Sequence, residues 1–216
     1  MAGMRKYIDT NWSPHLAYVV GIIATDGSIG QKRAYINITS KDRELLEDCR
    51  AALNVQNKIG RKARGGSTEK KYFVLQLINI TLYTFLLKVG IVPAKSKILG
   101  KLLVPDKFFS DFLRGCIDGD GSIGSFTHPE SRLPQFRIRL YSASLDFLVW
   151  IKKRVETTAK IKGGWICSAG KGLHALTFGK RDSVQLAEFL YPKGTTLFLK
   201  RKYDRVKQFW ASGEIG

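Results

Sequence analysis

The hydrophobic pattern changes period within the first forty residues. From Ser13 to Asp26 the apolar residues crowd at helical spacing, whereas from Ala34 to Ser40 they alternate, with Ile36 and Ile38 on one side and Tyr35, Asn37 and Thr39 on the other. The first stretch predicts a helix opened by Ser13-Pro14, a capping residue beside a proline whose missing N–H is harmless in a first turn, and stopped by Gly27. The second predicts a strand with one wet side, preceded by a short strand over residues 28–32. Next come a helix capped by Asp42 and carrying Leu45, Leu46, Cys49 and Leu53 at helical spacing, strands over 58–64 and 72–78 joined by Gly65-Gly66-Ser67, and a helix over 81–89.

The series then recurs. A second helix opens at Pro105-Asp106 and ends at Asp120, strands are expected over 122–127 and 135–141, and in the latter Phe136, Ile138 and Leu140 point inward while Gln135, Arg137, Arg139 and Tyr141 point outward. A helix over 144–157, strands over 160–168 and 173–178, and helices over 181–190 and 196–210 complete it. Each repeat reads αββαββα. The expected fold class is α+β, with residues 1–99 as one repeat, 100–106 as a linker and 107–216 as the other.

The duplication is sharpest at the two long helices. Val-Val-Gly-Ile-Ile-Ala-Thr-Asp-Gly from Val19 and Leu-Arg-Gly-Cys-Ile-Asp-Gly-Asp-Gly from Leu113 share Gly21/Gly115, Ile23/Ile117, Asp26/Asp120 and Gly27/Gly121, and both continue Ser-Ile-Gly. Gly21 with Thr25, and Gly115 with Gly119, place small residues four apart, so two helix backbones can approach closely at Gly21 and Gly115. A pseudo-twofold between them would bring Asp26 and Asp120 together at two helix C-termini. Like charges beside unfavourable dipole ends call for a cation, and with oxygen donors alone the natural choice is Mg²⁺. A calcium loop at Asp118-Gly119-Asp120 is excluded, because Ile123 and Pro129 stand where glycine and glutamate are required.

Charge names the class of partner. The 216 residues carry a formal net charge of +18 within a globular composition, 44% hydrophobic, which points to a polyanion. Cys49, Cys116 and Cys167 are scattered, with no metal-ligand spacing to the three histidines, so no disulfide framework is expected and the compartment is read as intracellular and reducing: bacterial or archaeal cytoplasm, or an organelle matrix. No apolar run has membrane-spanning length.

The outward strand faces suit a major groove, with Arg, Gln and Asn for base edges and Lys for phosphates. In the first repeat the candidates are Ser28, Gln31, Lys32, Arg33, Tyr35, Asn37, Lys58, Arg61, Arg64, Tyr72 and Gln76. In the second they are Ser125, Arg132, Gln135, Arg137, Arg139, Tyr141, Lys162 and Thr177.

On its paired motifs the chain resembles the LAGLIDADG homing endonucleases in their single-chain, two-motif form. That resemblance implies two pseudo-twofold-related repeats whose antiparallel sheets form a DNA-binding saddle about centrally packed motif helices. The implied activity is an intron-encoded, monomeric endonuclease cutting both strands of a long asymmetric duplex to leave 3′ overhangs. It further implies two or three Mg²⁺ ions at the junction of the repeats, held by Asp26 and Asp120 with the carbonyls of Thr25 and Gly119. Ser40 and Ser142 stand where the family often orders solvent, although helix capping accounts for them equally well. Lys95 and Lys200 are the candidate basic residues for transition-state charge, with phosphate contact as the rival role. Asp118, at the motif's sixth place, is read as structural. The competing functions on this fold are an intron RNA-splicing helper and a DNA-binding protein without cleavage.

Overall fold

Ser13 opens the first helix as its pattern predicts: its hydroxyl accepts the Leu16 N–H at 3.1 Å, and α1 runs Pro14–Asp26. The structure is a computed structural model, which describes residues 8–31, 33–63, 68–127 and 134–212. From Leu16 to Ala24 every residue of α1 is buried, so the helix is enclosed all round rather than amphipathic. Its chief neighbour is α4, Phe109–Asp120, the second motif helix. Glycine permits the crossing. A Cβ on Gly21 would lie 2.1 Å from the Phe112 carbonyl oxygen, and one on Gly115 would lie 2.1 Å from that of Tyr18.

Two antiparallel sheets flank this pair. In the first, β1 (Gly27–Ile29), β2 (Tyr35–Ser40), β3 (Ile59–Lys62) and β4 (Tyr72–Ile78) lie in the order β1-β2-β4-β3. In the second, β5 (Gly121–Thr127), β6 (Pro134–Ser142), β7 (Trp165–Gly170) and β8 (Leu173–Phe178) repeat it as β5-β6-β8-β7. Helices α2 (Arg43–Ala52), α3 (Ile80–Val89), α5 (Leu145–Thr158), α6 (Lys180–Leu190) and α7 (Lys200–Ala211) complete the described elements. The fold is α+β, and the αββαββα series occurs twice, with α7 added after it in the second copy. The alternating residues fall as expected, with Ile36, Ile38, Phe136, Ile138 and Leu140 at or below 1% exposure.

Departures from the sequence reading have local causes. Pro105-Asp106 begins a single 3₁₀ turn, Asp106–Phe108, and α4 starts only at Phe109; the Asp106 carboxylate pairs with Arg154 at 2.8 Å. Asp42 precedes α2 but makes no side-chain cap, because its carboxylate is gripped by Arg201 of α7, Nε to Oδ1 at 2.9 Å and Nη2 to Oδ2 at 2.8 Å. The seventh strand begins at Trp165 rather than 160, since Lys160 and Gly164 adopt positive φ (60° and 89°) and turn the chain. The last helix starts at Lys200 rather than Thr196. Gly65-Gly66-Ser67 lies outside the described residues. Among the described residues no helix is long and apolar enough to cross a membrane.

Candidate functional site

Both motif helices end on their aspartate and pass straight into an edge strand. The glycines that follow are not left-handed stops: Gly27 has φ −92°, ψ 155° and Gly121 φ −98°, ψ 169°, both extended. Their role is steric. The chain leaves so close to the last helical turn that a Cβ would lie 2.5 Å from the Ile23 carbonyl oxygen in one repeat and 2.5 Å from that of Ile117 in the other. Asp26 and Asp120 are thereby held at the rim of the junction, and they line one cavity of about 320 Å³ with Thr25, Ser28, Thr39, Lys62 and Ser96. A neighbouring cavity of about 430 Å³ contains Asp120 with Lys95, Ser96, Tyr141 and Ser142.

The lysines reveal the pseudo-symmetry at atomic detail. Lys95, 5% exposed, sends Nζ to the Gly27 carbonyl at 2.7 Å and reaches that of Thr25 at 3.5 Å. In the second repeat the same contacts are made by Lys202, 3% exposed, with Nζ 2.7 Å from the Gly121 carbonyl and 3.5 Å from that of Gly119, as well as 2.6 Å and 2.8 Å from those of Ile117 and Asp118. Each ammonium sits on carbonyls at the C-terminal end of a motif helix, where the dipole favours positive charge. Burial pushes the pKa of each lysine down to about 8, opposed by Asp120 and Asp26 around Lys95 and by Asp118 around Lys202.

Lys200, expected in this role, is elsewhere. Its side chain is 66% exposed and binds Asp204 one helical turn along α7. The basic position matching Lys95 is Lys202, two residues on, where the first turn of α7 points back at the motif helix.

The oxygen donors fit a hard divalent cation. Two carboxylates share one cavity, and no group of three or more His, Cys, Asp or Glu side chains gathers anywhere among the described residues, so backbone oxygen and solvent would complete the shell. Of the carbonyls near the two lysines, those of Thr25 and Gly119 are the most weakly held, at 3.5 Å against 2.6–2.8 Å for the others. They are the backbone atoms the sequence reading nominated.

Ser40 and Ser142 serve their turns. Ser40 Oγ accepts the Asp42 N–H at 3.2 Å, and Ser142 Oγ accepts the Ser144 N–H at 3.0 Å. Ser142 also lines the larger cavity, beside Tyr141, whereas Ser40 is buried and its neighbour Thr39 faces the smaller cavity instead. Asp118 is structural, as expected: 1% exposed, its Oδ2 accepts the Tyr18 hydroxyl at 2.9 Å and the Leu199 N–H at 2.8 Å.

On the sheets, strand register decides which candidates face outward. Ser28, Asn37 and Gln76 form one cross-strand row, and Tyr35 lies in the next. Gln31, Arg33 and Lys58 are exposed beside the strands, Lys162 is exposed ahead of β7, and Tyr72 pairs with Lys62 on the outward side. Arg61 is a correction. It pairs with Phe73 on the helix side, its guanidinium 5.1 Å from that ring, and Lys62 takes the outward place. In the second sheet Gln135, Arg137, Arg139 and Tyr141 alternate outward as read, but Ser125 pairs with buried Phe136 and faces α7, lining a groove with Arg205 and Gln208. Thr177 lies between Arg139 and Trp165 and is only 3% exposed. Lys32, Arg64 and Arg132 lie outside the described residues.

Missed from sequence were Lys62, Lys202, Ser96 and Trp165, the last 45% exposed on the outward face of β7. Lys62 could have been found by anchoring the alternation on Ile59.

Residues 13–93 match the family model of the LAGLIDADG-like domain. No curated protein matches the chain by sequence. Among solved structures, the chain is similar to mesophilic variants of the homing endonuclease I-DmoI at 14% identity and TM-score 0.59, covering 88% of this chain and 96% of that one. It is similar to the meganuclease I-SmaMI bound to uncleaveable DNA at 16% identity and TM-score 0.60, covering 94% and 91%. It is also similar to the N-terminal LAGLIDADG domain of DUF199/WhiA at 15% identity and TM-score 0.56, covering 90% and 88%. Other structures show I-DmoI with DNA and Mn, and an I-DmoI variant with its target DNA and Mg. At these identities the shared property is the fold, in its single-chain form with two repeats.

Proposed function

Since the chain carries the LAGLIDADG fold twice, we propose that it is a monomeric, site-specific endonuclease that cuts both strands of a long asymmetric duplex and leaves 3′ overhangs. The observation that carries this reading is the pair Asp26 and Asp120, one from each repeat, on a single cavity. Two polar sheet faces and a net charge of +18 supply the complementary surface for a polyanion.

Asp26 and Asp120 are the residues to hold Mg²⁺, two or three ions, with the Thr25 and Gly119 carbonyls beside them. When bound, Mg²⁺ supplies a lowered pKa for attacking water and charge stabilisation at the leaving oxygen. Lys95 and Lys202 fix the ends of the motif helices, and so the carboxylates, and place positive charge beside the reacting phosphates. Thr39 and Tyr141 are placed to order solvent from either side.

The rival is a protein of the same fold that binds nucleic acid without cutting, either duplex DNA or intron RNA. A randomised duplex library incubated with Mg²⁺, Ca²⁺ or EDTA separates the two. The endonuclease yields one long asymmetric cleaved consensus in Mg²⁺ alone, and Asp26→Asn or Asp120→Asn lowers its cleavage by roughly a thousandfold while sparing binding. Binding with no cut in Mg²⁺ at low salt, or a single Asn variant cutting both strands at the parental rate, would sink the proposal.

A further inference from the structure

The two outward sheet faces are not chemically equivalent, although they descend from one pattern. In the first sheet the row that starts from Ser28 continues through Asn37 and Gln76, all neutral. In the second the matching strand carries Arg137 and Arg139.

Arg137 is set in a built trough. Its cross-strand partner on β5 is Gly124, and on the other side Gly179 follows Phe178, the partner of Ile138, so no side chain flanks it from the neighbouring position on either strand. Aromatic rings form the walls. The guanidinium carbon lies 4.3 Å from the centroid of Phe126 and 5.8 Å from that of Trp165, and a Cβ at Gly179 would already touch the Trp165 ring at 3.9 Å. Arg137 Nε is buried with no hydrogen-bond partner among the described residues. Exposed tryptophan and an arginine held between rings are a costly way to cover a sheet, but they are a good way to fix a guanidinium fork in advance. A planar cation stacked on π-faces loses little further rotamer freedom when it docks.

We infer that Arg137 reads a guanine in the major groove under the second sheet, its fork donating to O6 and N7, and that this contact orients the asymmetric duplex on the protein. The inference rests on the duplex-binding reading above. Arginine is matched to guanine because it offers two parallel N–H donors to two acceptors that no other base pair presents together. The first sheet has Tyr35 at the matching strand position, packed against Gly30, and cannot make that contact. Its Asn37–Gln76 pair offers the donor-and-acceptor amides that suit adenine instead. The two ends of the target therefore differ in base class as well as in sequence.

The experiment is binding selection from a randomised duplex library in Ca²⁺, which keeps cleavage out of the readout, with the parent protein and the variants Arg137→Ala, Arg137→Lys and Trp165→Ala. The parent should select guanine at one fixed position of one arm. Arg137→Ala and Arg137→Lys should lose that preference and no other, with affinity for the best site down about tenfold to a hundredfold. Trp165→Ala should weaken the same position partially. An unchanged consensus from Arg137→Ala overturns the assignment alone. So does a uniform loss across all sequences with a salt slope reduced by about one, because that is the mark of a phosphate contact. Failure of the parent to select any duplex overturns the assignment together with the reading it rests on.

Discussion

Lys95 and Lys202 do the same thing by different means. Both place a buried ammonium on the last carbonyls of a motif helix, yet Lys95 comes from a 3₁₀ turn, Lys95–Lys97, preceded by Ala94 in the left-handed region, whereas Lys202 comes from the first turn of a twelve-residue helix. The support differs as well. Behind Lys95 the motif helix is apolar, with Val20 and Ala24 buried. At the matching places behind Lys202 stand Arg114 and Asp118, 2% and 1% exposed. Arg114 binds the Leu190 and Leu197 carbonyls at 2.6 Å and 2.7 Å and the Asp111 carboxylate at 2.5 Å, while Asp118 takes the Leu199 N–H. These bonds pin the segment between α6 and α7. The lesson is that the end geometry is shared between the repeats while the scaffold that delivers it is not.

The comparison can be pressed hardest at the lysines themselves. Lys95→Met and Lys202→Met should each lower single-turnover cleavage by about a hundredfold to a thousandfold with duplex affinity little changed, and Lys200→Met should do neither. Equal loss from Lys200→Met would restore the position first read from sequence. At the level of scaffold, Asp118→Ala and Arg114→Leu should destabilise the protein by about 3 kcal/mol each in denaturant melts, because each strands a buried polar partner. A loss well under 1 kcal/mol would mean the network is ornamental and the two repeats are equivalent after all.

The smallest effect concerns α2, which packs beside α1. Burial, with Glu44 the next cause, raises the Asp48 carboxyl to about 6. A carboxyl raised on folding binds more protons in the folded state, so stability falls as pH rises from about 4 through about 6. Asp48→Asn should therefore stabilise the protein at pH 7, by on the order of 1 kcal/mol once screening at a half-exposed site is allowed for, and change little at pH 4. Thermal melts at the two pH values check this, and a gain equal at both would refute the assignment.

Much of this was legible in the chain. The periods of Ile36/Ile38 and Phe136/Ile138/Leu140 set which strand face is wet, and the repeated Gly and Asp positions gave the helix crossing and the acid pair. What escaped depends on register between strands or on where a helix starts. Arg61 and Ser125 were misplaced because only pairing with Phe73 and Phe136 says which face they occupy. Thr177 sits in an outward row, yet its neighbours cover it. Lys200, Arg201 and Lys202 are three bases in succession, and only the turn of α7 directs one outward to Asp204, one across to Asp42 and one inward to the motif helix.

The glycine-lined crossing of α1 and α4 also bears on how the molecule comes together. Since α1 is enclosed on all sides and part of that enclosure is α4, neither repeat owns a complete interior. Further ties run between the halves: the Tyr18 hydroxyl to Asp118, the Ser144 hydroxyl to the Leu99 carbonyl, and Arg201 to Asp42. The interface that holds the two aspartates is thus also part of the interior of both repeats.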